Sequence, residues 1–164
     1  MIRENSYSVD IAMMRVARSP VQLYSLGLGS CVGVAIYDPV AKIGGLIHIL
    51  LPSMREFSNG THVRAKFADS GISDLVELMV QTGAAKYRMS AKMAGGAAMF
   101  ASAAALRINS IGERNIQSCR ETLAALGIRL ISQDTGGNRG RTIYFDVETG
   151  ALTIKTIDRP EKTI

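Results

Sequence analysis

The sequence predicts an α+β fold, a layered sandwich of packed mixed β-sheets with flanking helices. Three observations support this prediction. Short apolar runs with period-two alternation recur about eight times along the 164 residues, and most of them are joined as hairpins. Only two or three stretches show helical spacing. No internal repeat or linker divides the chain, so we expect a single domain over residues 1–164, with an ordered core over about 6–157.

The first third of the chain predicts four strands. Patchy alternation over 7–16 indicates the first strand, and the apolar run 21–26 indicates the second. Residues 31–38 and 45–51 are two further runs of strand length. They are joined by Asp38-Pro39-Val40-Ala41, a sequence that suits a type I turn. We therefore expect the third and fourth strands to form a hairpin.

The rest of the chain predicts two helices among further strands. A helix capped by Asp69 or Ser70 should run to about Thr82, because Gly83 is a typical helix stop. Apolar residues at helical spacing predict a second helix that Gly127 ends. The remaining expected elements are a strand at 87–93, a strand at 128–131, a hairpin over 141–157 and a frayed terminus at 158–164.

Three single residues have structural interpretations. Cys119 lies on the apolar face of the second helix and is expected to be buried, because free cysteine is among the most buried residue types. His62 follows a polar loop and is expected at the surface. Phe100 lies in an alanine-rich segment and is expected in the core.

Composition narrows the possible classes of function. The net charge of +5 favours an acidic partner, but 5% aromatic content and the lack of a long Lys/Arg run argue against nucleic acid. The longest uncharged run of small residues, Ala94 to Leu106, is too short to span a membrane. Two distant cysteines without an export signal favour free thiols in a reducing compartment. We therefore expect a cytoplasmic protein without direct membrane insertion.

The predicted hairpin brings one cysteine and one histidine together. If the turn pairs Asp38 with Ala41, Cys31 lies directly opposite His48. Directly opposed residues have Cβ atoms about 4.5–5.5 Å apart on the same face, which lets an imidazole reach a thiol. A one-residue bulge near Gly44-Gly45 would place the two side chains on opposite faces instead. A Cys-His dyad is therefore a hypothesis that depends on the register.

The residues before Cys31 suit a site for nucleophilic catalysis. Gly29 and Ser30 belong to a permissive loop that could aim backbone N–H groups at a substrate oxyanion. Ser25 ends the preceding strand, where its hydroxyl could bond to one imidazole nitrogen and orient the ring. A thiolate would attack a carbonyl carbon while the imidazole transfers protons. The same residues could equally be ordinary hairpin residues of a binding module.

The sequence argues against two other kinds of site. The spacing of Gly27, Gly29 and Gly33 is G-x-G-x-x-x-G, and Val32 stands where a dinucleotide-binding fingerprint needs glycine. These glycines also lead into a strand, whereas the fingerprint leads into a helix. A metal site needs three or four convergent ligands, and two cysteines and two histidines are too few.

The chain closely resembles the CheD family, the chemoreceptor glutamine deamidases of bacterial and archaeal chemotaxis. The most specific similarity is LGLGSCVGVAIYDPVAKIGGLIHILLP at 26–52, followed by KMAGGAAMF (92–100), IGERN (111–115) and DTGGNRGR (134–141). The resemblance covers roughly residues 6–157. It implies that Cys31 is the nucleophile and His48 the general acid/base. The third family residue, usually threonine, falls on Ser25, which keeps the hydroxyl but lacks the methyl group that stiffens χ1.

The resemblance also implies a reaction and partners. Specific glutamine side chains of methyl-accepting chemoreceptors would become glutamate through a Cys-His thioester mechanism that needs no cofactor. Glutamate methyl esters are a second substrate that the same chemistry allows. The expected partners are the cytoplasmic helices of chemoreceptors and a CheC-type phosphatase. The alternative is a non-enzymatic docking module that regulates such a phosphatase, and removal of the Cys31 sulfur separates the two, because only deamidation requires it.

Overall fold

Two five-stranded sheets form the frame of the computed structural model, which describes residues 2–57, 59–60, 63–99 and 110–164. The first sheet contains, in spatial order, β1 (Ser6–Ser8), β3 (Gln22–Leu28), β8 (Arg141–Asp146), β9 (Leu152–Thr156) and β10 (Lys162–Thr163). The second sheet contains β2 (Met14–Arg18), β5 (Ile43–Ile49), β4 (Val32–Asp38), β6 (Ser90–Gly95) and β7 (Arg129–Thr135). Both sheets mix parallel and antiparallel pairs.

Helices cover the outer face of the second sheet. The short α1 spans Met54–Phe57, and the two longer helices are α2 (Ala68–Thr82) and α3 (Ile111–Ala125). Two 3-10 turns lie at Arg64–Lys66 and Lys86–Arg88. Buried side chains of α2 and α3 share one apolar core with the second sheet. The predicted layered α+β sandwich is therefore confirmed.

The central strand β4 is buried on both of its faces, because side chains alternate along a strand. Val32, Val34 and Ile36 pack towards the helices. Ala35 and Tyr37 pack towards the first sheet, with Phe145 of β8 in edge-to-face contact with the Tyr37 ring. This places β4 and its neighbour β5 in the middle of the molecule.

The chain crosses between the sheets near its N-terminus, so the prediction of one strand over 7–16 is wrong. The N–H of Val9 still bonds to Tyr24 in the first sheet, at 2.8 Å. The N–H of Ala12, which has a φ of 61°, already bonds to the His48 carbonyl in the second sheet, at 3.0 Å. The turn between them divides the predicted strand into β1 and β2. Its consequence is that the Val9 carbonyl lies between the two sheets.

Both predicted helices are present, with one correction to a cap. Gly83 ends α2 with a φ of 115°, as glycine at a helix C-terminus commonly does. The N-cap residue of α2 is Phe67, not Asp69 or Ser70. The Asp69 carboxylate is instead occupied by the N–H of Met54, at 2.9 Å. Cys119 of α3 is fully buried, which confirms its interpretation as a core residue.

Several predicted strands have other bounds in the structure, and the prediction for the C-terminal segment is wrong. The strand expected at 87–93 begins only at Ser90, after the second 3-10 turn, and the strand expected at 128–131 extends to Thr135. The terminus expected to fray at 158–164 instead contributes β10, which pairs with β9. The Lys92 ammonium holds the carbonyl of Ile164 at 2.8 Å, so this terminus is anchored to the second sheet as well.

Two single-residue interpretations lie outside the described residues, those of His62 and Phe100. Among the described residues, no helix is long and apolar enough to cross a membrane.

Candidate active site

The observed register of the β4–β5 hairpin differs from the predicted one. His48 lies opposite Gly33, not Cys31, because Asp38 pairs with Ile43 instead of Ala41. The connection is therefore a four-residue loop. The buried Asp38 carboxylate stabilises it by accepting the N–H groups of Val40 and Ala41, at 3.0 and 3.1 Å.

The two-residue shift in register still leaves Cys31 and His48 on one face of the sheet. Cys31 immediately precedes β4 and has the same parity as Gly33, the partner of His48. The thiol packs in the core between the two sheets, together with Ala35 and Leu46. The residue opposite His48 is Gly33, and the side chains of Ile143 and Leu28 pack over it: a Cβ there would lie 2.4 and 3.3 Å from their Cδ1 atoms. Diagonal neighbours of this kind lie about 7–8 Å apart at their backbones, within reach of long side chains.

A third strand position, Ser25, is joined to His48 by a shared carbonyl group. The Ser25 hydroxyl is buried and donates to the carbonyl oxygen of Val9, at 2.6 Å. The same oxygen lies 3.4 Å from Nδ1 of His48. Sequence reasoning expected a direct bond between this hydroxyl and the imidazole, whereas the described contacts pass through Val9. The role of Ser25 in orienting the ring stays a prediction.

The environment of His48 favours one tautomer of a neutral ring. Because Nδ1 faces the carbonyl of Val9, which only accepts, Nδ1 carries the proton and Nε2 keeps its lone pair. Nε2 is buried and has no hydrogen-bond partner within the described part of the chain. Burial lowers the pKa of the imidazole, although the Val9 carbonyl and the charge of Asp10 partly oppose this shift. His48 is therefore a neutral base with a free acceptor nitrogen.

The Cys31 thiol is also neutral at rest. Its residue is 8% exposed, and burial raises the pKa of the thiol, while its own backbone N–H partly offsets that shift. A turn after β6 holds the loop that carries it: the N–H of Gly96 donates to the Cys31 carbonyl and that of Ala97 to the Gly29 carbonyl, both at 2.8 Å. A Cβ at Gly95 would lie 2.2 Å from the Cys31 oxygen, so this approach requires glycine.

Sequence reasoning missed one residue of the site. Asn115 of α3 is fully buried, and its Nδ2 donates to the carbonyls of Ser30 and Leu50, at 2.9 and 3.0 Å. Its Oδ1 is buried without a partner among the described residues. The available signal was a polar residue directly beside the apolar stripe that includes Ile116 and Cys119. The IGERN motif contains it but assigns it no chemistry.

A cleft of about 770 Å³ lies beside the site, between α3 and the turn at 135–137. Gly96 contributes to its wall, but neither Cys31 nor His48 lines it. Among its described lining residues, the cleft therefore exposes neither side chain of the proposed pair.

The site contains the two groups that acyl transfer through a thioester needs. A thiol and a neutral imidazole with a free Nε2 lie on one face, and the thiol becomes a strong nucleophile once the imidazole takes its proton. The buried surroundings strengthen any hydrogen bond to the negative charge that develops during attack.

Comparisons with known proteins identify similar chains. Residues 50–156 match a family model described as CheD chemotactic sensory transduction. The chain is 48% identical to the probable chemoreceptor glutamine deamidase CheD of Desulforamulus reducens, over 95% of this chain and 93% of that protein. It is also 48% identical to the protein of the same description from Moorella thermoacetica, over 100% of this chain and 98% of that one. Among solved structures, it is similar to the Bacillus licheniformis hypothetical protein YfiH, with a TM-score of 0.49 and 14% identity, over 74% of this chain and 49% of that chain.

Proposed function

The chain belongs to the CheD family, and from that membership we propose that it deamidates glutamine side chains of chemoreceptors to glutamate. Relatives described as probable chemoreceptor glutamine deamidases match nearly the whole chain, which supports the reaction. The observation that carries the proposal is the placement of Cys31 and His48 on one buried face. Geometry is the main support for these two residues, because the family-model match at 50–156 follows both of them.

The first half of the proposed mechanism forms a thioester. Sγ of Cys31 attacks the side-chain amide carbon of glutamine while Nε2 of His48 accepts the thiol proton. Backbone N–H groups of the Gly29–Ser30 loop stabilise the oxyanion. The protonated imidazole then gives its proton to the amide nitrogen, the C–N bond breaks, and ammonia leaves.

The second half hydrolyses the thioester. Nε2 of His48 takes a proton from water as the water attacks the acyl carbon, the C–S bond breaks, and the proton returns to the sulfur. The sum is glutamine plus water to glutamate plus ammonia, without a cofactor. A glutamate methyl ester would follow the same path with methanol as the leaving group.

Proton transfer accompanies sulfur attack in this mechanism. Burial raises the pKa of Cys31 and lowers that of His48, and both shifts favour the neutral pair over a thiolate–imidazolium pair. His48 therefore acts as a general base during the attack. Ser25 contributes indirectly, because its bond to the Val9 carbonyl holds the acceptor that orients the ring.

The proposed setting is the cytoplasm, where the helical cytoplasmic part of a chemoreceptor presents its glutamines. The net charge of +5 suits an acidic receptor surface. A CheC-type phosphatase is the second proposed partner.

The decisive experiment measures ammonia release from a glutamine-bearing cytoplasmic fragment of a chemoreceptor, with mass spectrometry to locate new glutamates. The wild type should release ammonia and Cys31→Ala should release none. Cys119→Ala is the matched control, because it removes the other thiol from a buried position outside the site. Full activity of Cys31→Ala would exclude the proposed nucleophile.

A second measurement separates catalysis from docking. Binding to a CheC-type phosphatase should be the same for wild type and Cys31→Ala, since the sulfur is needed only for chemistry. If several receptor fragments yield no ammonia while phosphatase binding persists, the protein is a docking module and not a deamidase.

A further inference from the structure

The amide of Asn115 lies where the two strands of the site separate. Val32 and Ile49 form the last pair of the β4–β5 ladder on this side. Beyond them, Nδ2 of Asn115 donates to the Ser30 carbonyl on one strand's extension and to the Leu50 carbonyl on the other, at 2.9 and 3.0 Å. One primary amide has two N–H donors, so both are used. The Asn115 side chain of α3 thus links the two strands at the point where their backbone pairing ends.

The two carbonyls belong to the segments that carry the proposed catalytic groups. Ser30 immediately precedes Cys31, and Leu50 follows His48 by two residues. The Asn115 side chain is fully buried, which excludes water as a competing partner and makes the two bonds persistent. Asn115 is therefore one of the groups that set the distance between the Cys31 and His48 segments, together with the β4–β5 ladder and the turn after β6.

The bond to Ser30 also sets the direction of the Cys31 N–H. The carbonyl of Ser30 and the N–H of Cys31 belong to one planar peptide group, so a fixed carbonyl direction fixes the N–H direction. That N–H is the group that stabilises the charged form of the Cys31 sulfur. Rotation of the Ser30–Cys31 peptide group would turn this N–H away from the sulfur.

We propose that Asn115 is a positioning residue, which aims the Ser30–Cys31 peptide and sets the spacing between the nucleophile and His48. The consequence for turnover depends on the proposed deamidase function, whereas the consequence for the thiol does not. Asn115 touches no substrate atom in this proposal and acts only through the two backbone segments.

A neighbouring residue of α3 provides a matched control. The Ser118 hydroxyl donates to the Pro52 carbonyl at 2.6 Å, so it also joins α3 to the chain that follows β5. Within the described part of the chain, its hydroxyl forms no hydrogen bond with the segment that precedes Cys31. Ser118→Ala therefore removes a helix-docking bond without affecting the Ser30–Cys31 peptide.

Cys119, one helical turn after Asn115, is a built-in reporter of correct folding. It is fully buried, and burial raises the pKa of its thiol to about 12. It should stay unreactive towards iodoacetamide for as long as α3 is docked. Peptide mapping by mass spectrometry resolves its alkylation from that of Cys31.

The experiment compares wild type, Asn115→Ala, Asn115→Ser and Ser118→Ala in two assays. In the first, the rate of Cys31 alkylation is followed against pH. In the second, kcat and KM for ammonia release are measured with a receptor fragment. We expect the Cys31 alkylation curve of both Asn115 variants to move to higher pH, and kcat to fall by about 100-fold with little change in KM, as for a small misplacement of a reacting group. Ser118→Ala should follow wild type in both assays.

Three outcomes would overturn the proposal. An unchanged Cys31 alkylation curve in a folded Asn115 variant would show that the amide does not aim the peptide. Equal losses in Ser118→Ala would show that any helix-docking bond has the same effect. Cys119 alkylation in both Asn115 variants would assign the residue a structural role. Asn115→Ser is included as a second variant because serine keeps a small polar group at this buried position while it lacks the two-donor amide.

The proposed function and this inference can fail separately. If Cys31 alkylation shifts as expected while no protein, wild type included, releases ammonia, the positioning role stands and the deamidase proposal falls. If wild type releases ammonia and Cys31 alkylation does not shift, the deamidase proposal stands and the positioning role falls.

Discussion

Polar side chains are buried at both ends of the β4–β5 hairpin, but the two ends differ in how many of these buried polar atoms have hydrogen-bond partners. At the turn end, the fully buried Asp38 carboxylate accepts the N–H groups of Ala85, Val40 and Ala41 and is paired with Arg88 at 2.8 Å. Burial alone would raise the pKa of Asp38, but these bonds hold it well below its usual range. The turn end is an electrostatically complete structural anchor.

At the open end of the hairpin, two buried acceptors are left without partners among the described residues: Nε2 of His48 and Oδ1 of Asn115. Most buried polar atoms in native proteins are hydrogen-bonded, so each exception needs an explanation, and a catalytic role is one of them. A base must keep an acceptor free for the proton it takes. The comparison indicates that one end of the hairpin is optimised for stability and the other is kept available for chemistry.

The largest expected effect is the loss of the base. We expect His48→Gln to lower kcat for ammonia release by about 10²- to 10⁴-fold, because general acid–base catalysis contributes factors of that order. The melting temperature should change little, since Nε2 has no partner to lose among the described residues and the glutamine amide can donate to the Val9 carbonyl in place of Nδ1. Steady-state kinetics and thermal unfolding of the same samples test both statements. Activity within ten-fold of wild type would remove His48 from the mechanism.

Substitution of Asp38 at the turn end should lower stability and leave kcat nearly unchanged, the reverse of the result expected for His48. Asp38→Ala should lower the free energy of unfolding by about 3 kcal/mol, because it leaves buried N–H groups unpaired. The kcat of the folded fraction should stay close to wild type, since β4 separates Asp38 from Cys31. Urea unfolding measures the first quantity. Asp38→Asn is the control and should lose less stability, because its amide oxygen can still accept; a kcat loss in folded Asp38→Asn would contradict the division between the two ends.

The open end of the hairpin should also make the free energy of unfolding depend on pH. The sign of this dependence follows from the pKa shifts of His48 and Cys31. The pKa of folded His48 lies below its ordinary 6.5, so the unfolded chain binds more protons there and stability falls as the pH drops from about 6.5. The pKa of folded Cys31 lies above its ordinary 9.0, so stability is fully present below 9.0 and is lost as the pH rises through the folded value.

Denaturant unfolding across pH tests these signs. The free energy of unfolding of His48→Gln should fall less steeply than that of wild type as the pH drops below about 6.5. That of Cys31→Ala should fall less steeply as the pH rises above about 9.0. The remaining alkaline slope of Cys31→Ala has a known contributor, because the pKa of Cys119 is raised to about 12. A steeper acid-side loss in His48→Gln would contradict the assignment of a lowered pKa.

The smallest expected effect concerns Ser25. Ser25→Ala removes one buried hydrogen bond to the Val9 carbonyl and should reduce kcat by about ten-fold, corresponding to roughly 1.4 kcal/mol. Ser25→Thr should keep kcat within a few-fold of wild type, since it retains the hydroxyl and restricts χ1. Parallel kinetics of the two variants provide the test. Equal losses in both would mean that side-chain volume, not the hydroxyl, matters at this position.

Particular residues show how far the sequence could predict this site. Alternation placed Cys31 and His48 near each other and on one face, because a two-residue error in register preserves the face of every side chain. The direct opposition of the two residues was wrong, because the loop length depends on the buried Asp38 carboxylate, which binds Arg88, 50 residues further along the chain. A turn motif contains no information about that partner.

Two other features of the site, the Val9 carbonyl and the Asn115 amide, could not be predicted because they also depend on residues far apart in the sequence. The Val9 carbonyl meets Ser25 and His48 only because the chain crosses from one sheet to the other between β1 and β2. Alternation over 7–16 continues through that crossing and therefore suggested a single strand. Asn115 lies more than 60 residues from both carbonyls it joins, so no local pattern could assign its role.

Side-chain patterning along the chain was enough to predict most of the strands, the two long helices, the layered α+β class, the buried state of Cys119 and the shared face of Cys31 and His48. These features follow from side-chain periodicity and helix stops, which act over a few neighbouring residues. Three features became known from the tertiary structure alone. They are the hairpin register, the Val9 carbonyl shared by Ser25 and His48, and the Asn115 amide that joins the extensions of β4 and β5. Hydrogen bonds between distant, buried groups set these features, and their energies exist only once the sheets and α3 have packed together.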